Sequence, residues 1–272
     1  MSTRHGPVPA PAPVLAVLLL ALGACGGAHA PLPEELRGTE RLRVEGRQGW
    51  MPNQRLRFGS WEAVGVDRSG VGGRDFRVAA VSGSRRAQEY AFTLRADGRD
   101  AWRVECLATL RTRSLDVRVG TIDPVNATTL DCDLRPVDGG EAWRLALGEE
   151  GERAQAGMLG SGGRSLAVVG TNRLEGGLPT RETTGFHVAE DGRTLAAVET
   201  LGDGAVWLRP GLDPGDRGLV AAAAAALLLA EDLRRTLPAD PGPRVFRSGA
   251  RALYWAREHQ PEPTDQGAEC EY

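Results

Sequence analysis

The feature that most constrains the fold is a run of twelve apolar residues, 219–230, which contains six consecutive alanines. Alanine and leucine are strong helix formers, so the run predicts an α-helix. A helix that is apolar on every side is unsuited to a protein surface. Twelve residues rise only about 18 Å, which is short of a bilayer core of about 30 Å. The sequence therefore predicts a helix that is buried inside the protein.

Local signals place this helix at about residues 214–236. Asp213 is a suitable N-cap, Pro214 suits the first helical position, and Asp216 places a carboxylate three residues after the cap. Pro238 cannot continue the helix and disfavours helical backbone at the residue before it. We expect a helix of about six turns between these signals.

Residues 39–208 have the pattern of an all-β domain. About twelve or thirteen short strands are separated by Gly-rich or Asp-Gly turns at intervals of about 8–12 residues, which is typical of sandwiches and barrels. The repeat F-x-[LV]-x-x-D-G-R-x-x-x-x-V-E occurs at residues 92–105 and 186–199 and predicts two equivalent β-hairpins. Because the apolar helix needs a cover on all sides, we expect about twelve antiparallel strands to close around it as a barrel.

The N-terminus has the pattern of a targeting segment. A positively charged start and an apolar stretch at residues 14–22 lead to Leu-Gly-Ala-Cys at residues 22–25. This sequence resembles the lipobox of bacterial lipoproteins. The resemblance implies cleavage of residues 1–24, acylation of Cys25 and, because Gly26 follows the cysteine, attachment to the periplasmic face of the outer membrane. Residues 25–38 would then be a Gly/Pro tether. An ordinary secretory signal is the alternative.

Secretion would place the remaining cysteines in an oxidising compartment. Cys106 lies in a predicted strand at residues 101–108, and Cys132 lies in another at residues 127–134. These strands can be neighbours in one sheet, so we expect a Cys106–Cys132 disulfide, with two buried thiols as the alternative. Cys270 lies in a polar tail and is expected to be unpaired or paired with another molecule.

The order of the elements, about a dozen strands and then one wholly apolar helix, resembles the tubby C-terminal-like superfamily. That superfamily includes the LURP-one-related proteins and the phospholipid scramblases. The resemblance is carried by Val198-Glu199, the strand at 205–208 and residues 219–233. It implies a twelve-stranded barrel around a hydrophobic C-terminal helix over residues 39–237. No phosphoinositide pocket or scramblase calcium segment can be matched, so the resemblance implies a fold and not a function.

The sequence offers no motif for catalysis or metal binding. It contains neither H-E-x-x-H nor G-x-S-x-G, and no two of its four histidines have metal-ligand spacing. We therefore expect neither an enzyme nor a cofactor or metal, with a hydrolase using an unrecognised carboxylate site as one alternative. The net charge of −3 disfavours general nucleic-acid binding. Residues 238–272 are expected to be a partly disordered extension.

Arginines alternate along several predicted strands, notably Arg55 with Arg57 and Arg111 with Arg113. Residues two apart in a strand project from the same face, and arginine binds phosphate groups bidentately. These four residues are candidates for contacts with anionic lipid, with an ordinary solvated face as the alternative. The sequence predicts a non-enzymatic lipoprotein of the cell envelope, anchored at Cys25, with envelope proteins or anionic lipid as possible partners.

Overall fold

The computed structural model describes residues 28–47, 54–78, 81–117, 120–150, 154–180, 182–230 and 233. The predicted signal peptide, Cys25 and the predicted C-terminal extension lie outside these residues. A short 3-10 turn at Glu34–Leu36 precedes the strands. The strands and the helix are β1 (Leu42–Arg43), β2 (Leu56–Phe58), β3 (Trp61–Arg68), β4 (Gly72–Val78), β5 (Val81–Ala96), β6 (Arg99–Val117), β7 (Gly120–Pro136), β8 (Trp143–Glu150), β9 (Ala156–Ser161), β10 (Arg164–Thr171), β11 (Gly185–Glu190), β12 (Arg193–Glu199), β13 (Ala205–Leu208) and α1 (Pro214–Leu229).

The strands form one antiparallel sheet that curls into a nearly closed barrel. Twelve strands follow the order β1-β13-β12-β11-β10-β9-β8-β7-β6-β5-β3-β2, and β4 pairs with β5 outside this order. Glu45 and Arg57 exchange backbone hydrogen bonds of 2.9 and 3.0 Å, which joins the two ends of the order. The predicted architecture, mainly β with about twelve antiparallel strands in a barrel and one helix, is confirmed.

The two copies of the sequence repeat form equivalent hairpins, β5–β6 and β11–β12. Phe92 pairs with Val104 in the first, and Phe186 pairs with Val198 in the second. Both turns have positive φ angles at the Asp-Gly pair, 50° and 79° in one and 47° and 76° in the other. These angles are those of a type I′ turn, whose twist matches that of the flanking strands.

Helix α1 is buried on every side from Gly218 to its end at Leu229. No side chain at residues 219–229 is more than 2% exposed, and the helix packs against β5, β6, β7, β12 and β13. Asp213 caps the first turn as predicted, because its carboxylate accepts a hydrogen bond of 2.8 Å from the backbone N–H of Asp216. No helix in the described part of the chain has both the length and the hydropathy to cross a bilayer.

The helix ends earlier than the sequence predicts, at Leu229 instead of about residue 236. Arg47 donates a hydrogen bond of 2.9 Å to the carbonyl of Leu228, and Arg68 donates one of 2.7 Å to that of Leu229. Two guanidinium groups thus satisfy the last carbonyls of the helix and place positive charge at the negative end of its dipole. The acidic Glu231 and Asp232 that follow would oppose the same dipole.

Arg164 joins the start of the helix to the sheet. Its Nη2 atom lies 2.6 Å from Glu190 Oε2 and 2.9 Å from Asp216 Oδ2, and its guanidinium lies 5.8 Å from the ring centroid of Trp143. Hydrogen bonds from Arg164 hold the pKa of both carboxyl groups below the ordinary values of these residue types. The network therefore stabilises the folded protein only while the carboxyl groups are ionised.

We expect Arg164→Ala to remove this pH dependence. A carboxyl group with a lowered folded pKa adds stability above its unfolded pKa, and this stability is lost as the pH falls through the folded pKa. Below roughly pH 4, the free energy of unfolding of the wild type should therefore fall by about 1–2 kcal/mol relative to that of the variant. This figure is modest because solvent partly screens the charges of the network. Urea unfolding at pH 7 and pH 3 measures this difference. Arg37→Ala, which removes an exposed pair with Glu34, should leave the pH dependence unchanged.

Strands β5, β6 and β7 are much longer than their predicted counterparts, with 16, 19 and 17 residues. Strand β3 pairs with β5 only from Tyr90 onward, and β8 pairs with β7 only from Ala127 onward. The part of β5 that precedes Tyr90 pairs with β4 instead. We call this four-stranded extension the arm: β4 with residues 81–88, 109–117 and 120–126. The sequence did not predict it, because much of the arm, such as Val-Ser-Gly-Ser-Arg-Arg at residues 81–86, lacks the apolar alternation that marks a half-buried strand.

Candidate anion-binding face of the arm

A row of arginines crosses the outer face of the arm. Arg74 of β4 pairs directly with Arg85 of β5, and Arg85 pairs directly with Arg111 of β6. Directly paired residues of an antiparallel sheet project from the same face, and all three side chains are exposed. Arg113 is also exposed and, two residues along β6 from Arg111, adds a fourth guanidinium to this face.

An exposed aromatic ring lies beside this row. Phe76 of β4 is 50% exposed and pairs with Gly83, which in turn pairs with Arg113. The ring lies over Gly83, because a Cβ atom added at this glycine would be 2.6 Å from the Phe76 Cζ atom. The absence of a side chain at position 83 therefore leaves room for the ring on the face that carries the arginines, so this face combines positive charge with an apolar surface.

The arginines of the row have no acidic partners in the described residues. None of Arg74, Arg85, Arg111 and Arg113 has a carboxylate within 4.0 Å there. Arg86 projects from the opposite face and is neutralised, because its Nη1 atom lies 2.7 Å from Asp75 Oδ1. Its hydrogen bond lowers the pKa of Asp75. Like charges directly opposite each other destabilise a sheet, so an anionic ligand on the outer face would relieve this repulsion.

The structure divides the four arginines that the sequence selected. Arg57 pairs directly with Glu62, and its Nε atom lies 2.8 Å from Glu62 Oε1. Arg55 lies 3.6 Å from the same carboxylate oxygen. These two residues lie on and beside β2, which is not paired with the arm, and Glu62 compensates their charge. Arg111 and Arg113, in contrast, have no acidic partner among the described residues.

Sequence reasoning did not select Arg74 and Arg85. They lie 11 residues apart in the chain and become neighbours of each other and of Arg111 only through strand register. The one sequence signal was their placement in or near strand-like runs, with Arg85 inside an Arg-Arg pair. That signal does not indicate which of two adjacent arginines faces the ligand side, because a shift of one residue exchanges the faces.

Acidic side chains occupy the same outer face nearer the barrel. A concave region of about 560 Å³ is lined by Asp67, Glu89, Glu105, Asp131 and Asp133 together with Arg144 and Leu107. Arg144 lies 3.3 Å from Asp131. The outer face is therefore negative at the base of the arm and positive further along it. These carboxylates are where a hydrolase would be sought, and that alternative stays a hypothesis.

The predicted disulfide lies at the base of the arm. Cys106 of β6 and Cys132 of β7 are direct register partners with Cα atoms 4.1 Å apart, and their sulfur atoms are at bonding distance, 2.13 Å. Both residues are buried. Cys106 also pairs with Tyr90, whose hydroxyl donates a hydrogen bond of 2.8 Å to the helix carbonyl of Ala226. The link thus ties β6 to β7 beside the end of the helix. Cys270 lies outside the described residues.

No protein-family model, curated protein or solved structure matches this chain. Within the residues that the structure describes, no three His, Cys, Asp or Glu side chains are grouped so as to hold a metal ion. The function is therefore inferred from the geometry and charge of the chain's own residues.

Proposed function

We propose that this chain is a non-enzymatic lipoprotein of the bacterial outer membrane, anchored at Cys25, that acts as an interaction module on the periplasmic face. The lipobox-like sequence at residues 22–25 supports the anchor. The Cys106–Cys132 pair supports an oxidising compartment, where disulfides form and persist. The antiparallel barrel with a buried apolar helix supports the likeness to the tubby C-terminal-like superfamily, which stays a proposal.

The ligand that the geometry favours is an anionic lipid headgroup. The observation that carries this proposal is the row Arg74–Arg85–Arg111, three directly paired and exposed cations with no acidic partner in the described residues. Arginine presents a planar fork of N–H donors that matches the geometry of a phosphate group. The exposed ring of Phe76 beside the row can enter the interface between headgroups and acyl chains, where amphipathic surfaces bind.

The distribution of charge along the arm also favours a particular orientation. The carboxylates Glu89 and Glu105 lie near the barrel, whereas Arg85 and Arg113 lie further along the same two strands. An anionic surface attracts the far part of the arm and repels its base. The arm would therefore approach a membrane with its far end first.

We expect the protein without its acyl chains to bind anionic vesicles through this face. The test uses the chain from residue 26 onward, which lacks both the apolar stretch at residues 14–22 and Cys25, and vesicles of phosphatidylcholine with or without phosphatidylglycerol. Each basic residue near an anionic surface contributes about 1 kcal/mol, so Arg74→Glu, Arg85→Glu and Arg111→Glu together should weaken binding at least about a hundredfold. Binding should also weaken as salt is raised. Flotation measures the bound fraction.

A matched control reverses three arginines that have partners: Arg55→Glu, Arg57→Glu and Arg95→Glu. Glu62 and Asp100 neutralise these residues, so the control has the same change in net charge with little loss of binding. Equal losses in both variants would show that net charge alone drives binding. Inorganic phosphate is then added at constant ionic strength. Release of the protein from the vesicles would indicate that the face binds free phosphate, whereas an unchanged bound fraction would indicate that it binds the lipid headgroup. Equal binding of the chain from residue 26 onward, with all its arginines in place, to neutral and anionic vesicles would contradict the proposal.

A further inference from the structure

Residues 29–36, in the part of the N-terminal segment that the structure describes, are bound to the barrel wall. Glu199 of β12 is only 3% exposed. Its carboxylate accepts a hydrogen bond of 3.0 Å from the backbone N–H of Ala30 and lies 3.2 Å from His29 Nδ1. Arg41 donates a third hydrogen bond of 3.1 Å to the same carboxylate. Residues of the predicted tether therefore lie against the domain from His29 onward.

Further contacts continue along the segment. The carbonyl of Pro31 lies 3.3 Å from His187 Nε2, and Glu35 accepts a hydrogen bond of 2.7 Å from the backbone N–H of Thr194. Burial of the His187 ring lowers its pKa and favours the neutral form. Leu36 is fully buried. The segment is thus held on the outer face of β11 and β12 by polar and apolar contacts.

The equivalent hairpin shows that this position is adapted to the segment. Glu105 in the first repeat corresponds to Glu199 in the second, and it is exposed, with Ala91 paired opposite it. Gly185 stands opposite Glu199. A Cβ atom at Gly185 would lie 3.1 Å from the Ala30 side chain, so the glycine leaves room for the segment. The second hairpin therefore differs from the first where the N-terminal residues bind.

The loop at residues 172–184, between β10 and β11, contacts His29 of the N-terminal segment. The backbone N–H of Glu175 donates a hydrogen bond of 2.7 Å to the carbonyl of His29. Four residue steps separate His29 from Cys25, which allow a span of at most about 14 Å. Leu178 of this loop is 67% exposed, the largest exposure among the large apolar side chains of the described residues. An acylated Cys25 would hold this leucine close to the lipid.

This loop and the arm lie at the same end of the barrel. The carbonyl of Thr184 accepts a hydrogen bond from the N–H of Thr200, and Arg47 links Thr200 to the last turn of the helix at Leu228. The arm continues β5 beyond Tyr90, which contacts the same turn. His29, the exposed leucine and the arginine row therefore share the end of the barrel at which the helix terminates.

We propose that this end of the barrel faces the bilayer and that the loop at residues 172–184 rests on it, with Leu178 inserted at the level of the headgroups. This inference rests on the proposed acylation of Cys25. The loop carries one exposed Arg173 and the exposed acids Glu175 and Glu182, so it has no positive surplus among its described residues. The loop would therefore contact the bilayer through its apolar side chain, because the short tether holds it there. The arm would contact the bilayer through ionic interactions of its arginines.

The test attaches an environment-sensitive fluorophore to the full acylated protein in vesicles. Leu178→Cys places the label on the loop, and Met158→Cys places it on the outer face of β9, where the native side chain has a similar exposure of 57%. Cys270→Ser is included in both proteins so that only one thiol reacts. Nitroxide-labelled lipid should quench the label at position 178 strongly and the label at position 158 weakly. Equal quenching at the two positions would overturn the proposal.

A second variant tests the role of the short tether. A Gly/Ser insertion of about 24 residues between Gly27 and Ala28 allows a mean span of roughly 27 Å. We expect quenching at position 178 to fall with this insertion while the protein stays membrane-bound. Quenching that stays at its full value would contradict the role of the tether. Mass spectrometry of the intact protein shows whether Cys25 is acylated, so failure of the anchor is distinguished from failure of the orientation.

Discussion

Ala224→Asp is expected to abolish folding of the domain. Ala224 lies in the middle of helix α1 and is fully buried, as are the five alanines around it. The introduced carboxylate would be surrounded by apolar side chains, and a buried charge without a partner costs several kcal/mol or more. A domain of this kind has about 5–15 kcal/mol of stability in total. Soluble yield, circular dichroism and thermal melting measure the loss.

Two further substitutions make this test specific. Arg217→Asp places the same charge in the exposed first turn of the helix, where an acid suits the helix dipole, so the protein should fold normally. Leu227→Ala should cost about 2–5 kcal/mol, because a cavity replaces a side chain that is 2% exposed. Wild-type melting temperatures for Ala224→Asp and Leu227→Ala would mean that the helix is not enclosed.

Replacing both Cys106 and Cys132 with alanine is expected to lower the free energy of unfolding by about 3 kcal/mol. The two residues are 26 positions apart, and a cross-link of this span reduces the entropy of the unfolded chain by an amount in that range. Urea unfolding of the oxidised wild type and of the double variant measures the difference. A reductant should destabilise the wild type and leave the variant unchanged. Two free thiols in protein secreted to the periplasm would contradict the prediction.

The same double variant bears on the proposed ligand face. The link ties β6 to β7 at the base of the arm, and the arginine row begins five residues further along β6, at Arg111. Loss of the link should increase local opening of β6 and β7 at the base of the arm more than opening of the strands on the opposite side of the barrel. We expect amide hydrogen exchange to rise first in the arm strands of the double variant. Uniform exchange across all strands would show that the link acts on the unfolded state alone.

The sequence alone determined the elements whose signals are local. An unbroken apolar run of 219–230 has no stable environment other than a protein interior, whatever surrounds it. The repeated Asp-Gly pairs specify type I′ hairpins through the backbone angles of those two residues. The Cys106–Cys132 pair was predicted because both cysteines lay in strand-like runs close in the chain.

Only the tertiary structure decided what depends on register and on distant partners. Arg57 and Arg111 look alike in sequence, but Arg57 pairs with Glu62 and Arg111 pairs with Arg85, so only Arg111 lacks an acidic partner in the part of the chain that the structure describes. The tether residues His29 and Ala30 bind Glu199, which lies 170 positions from His29. Charge compensation is a property of neighbours in space. Strand pairing brings those neighbours together across distances in the chain that no local pattern records.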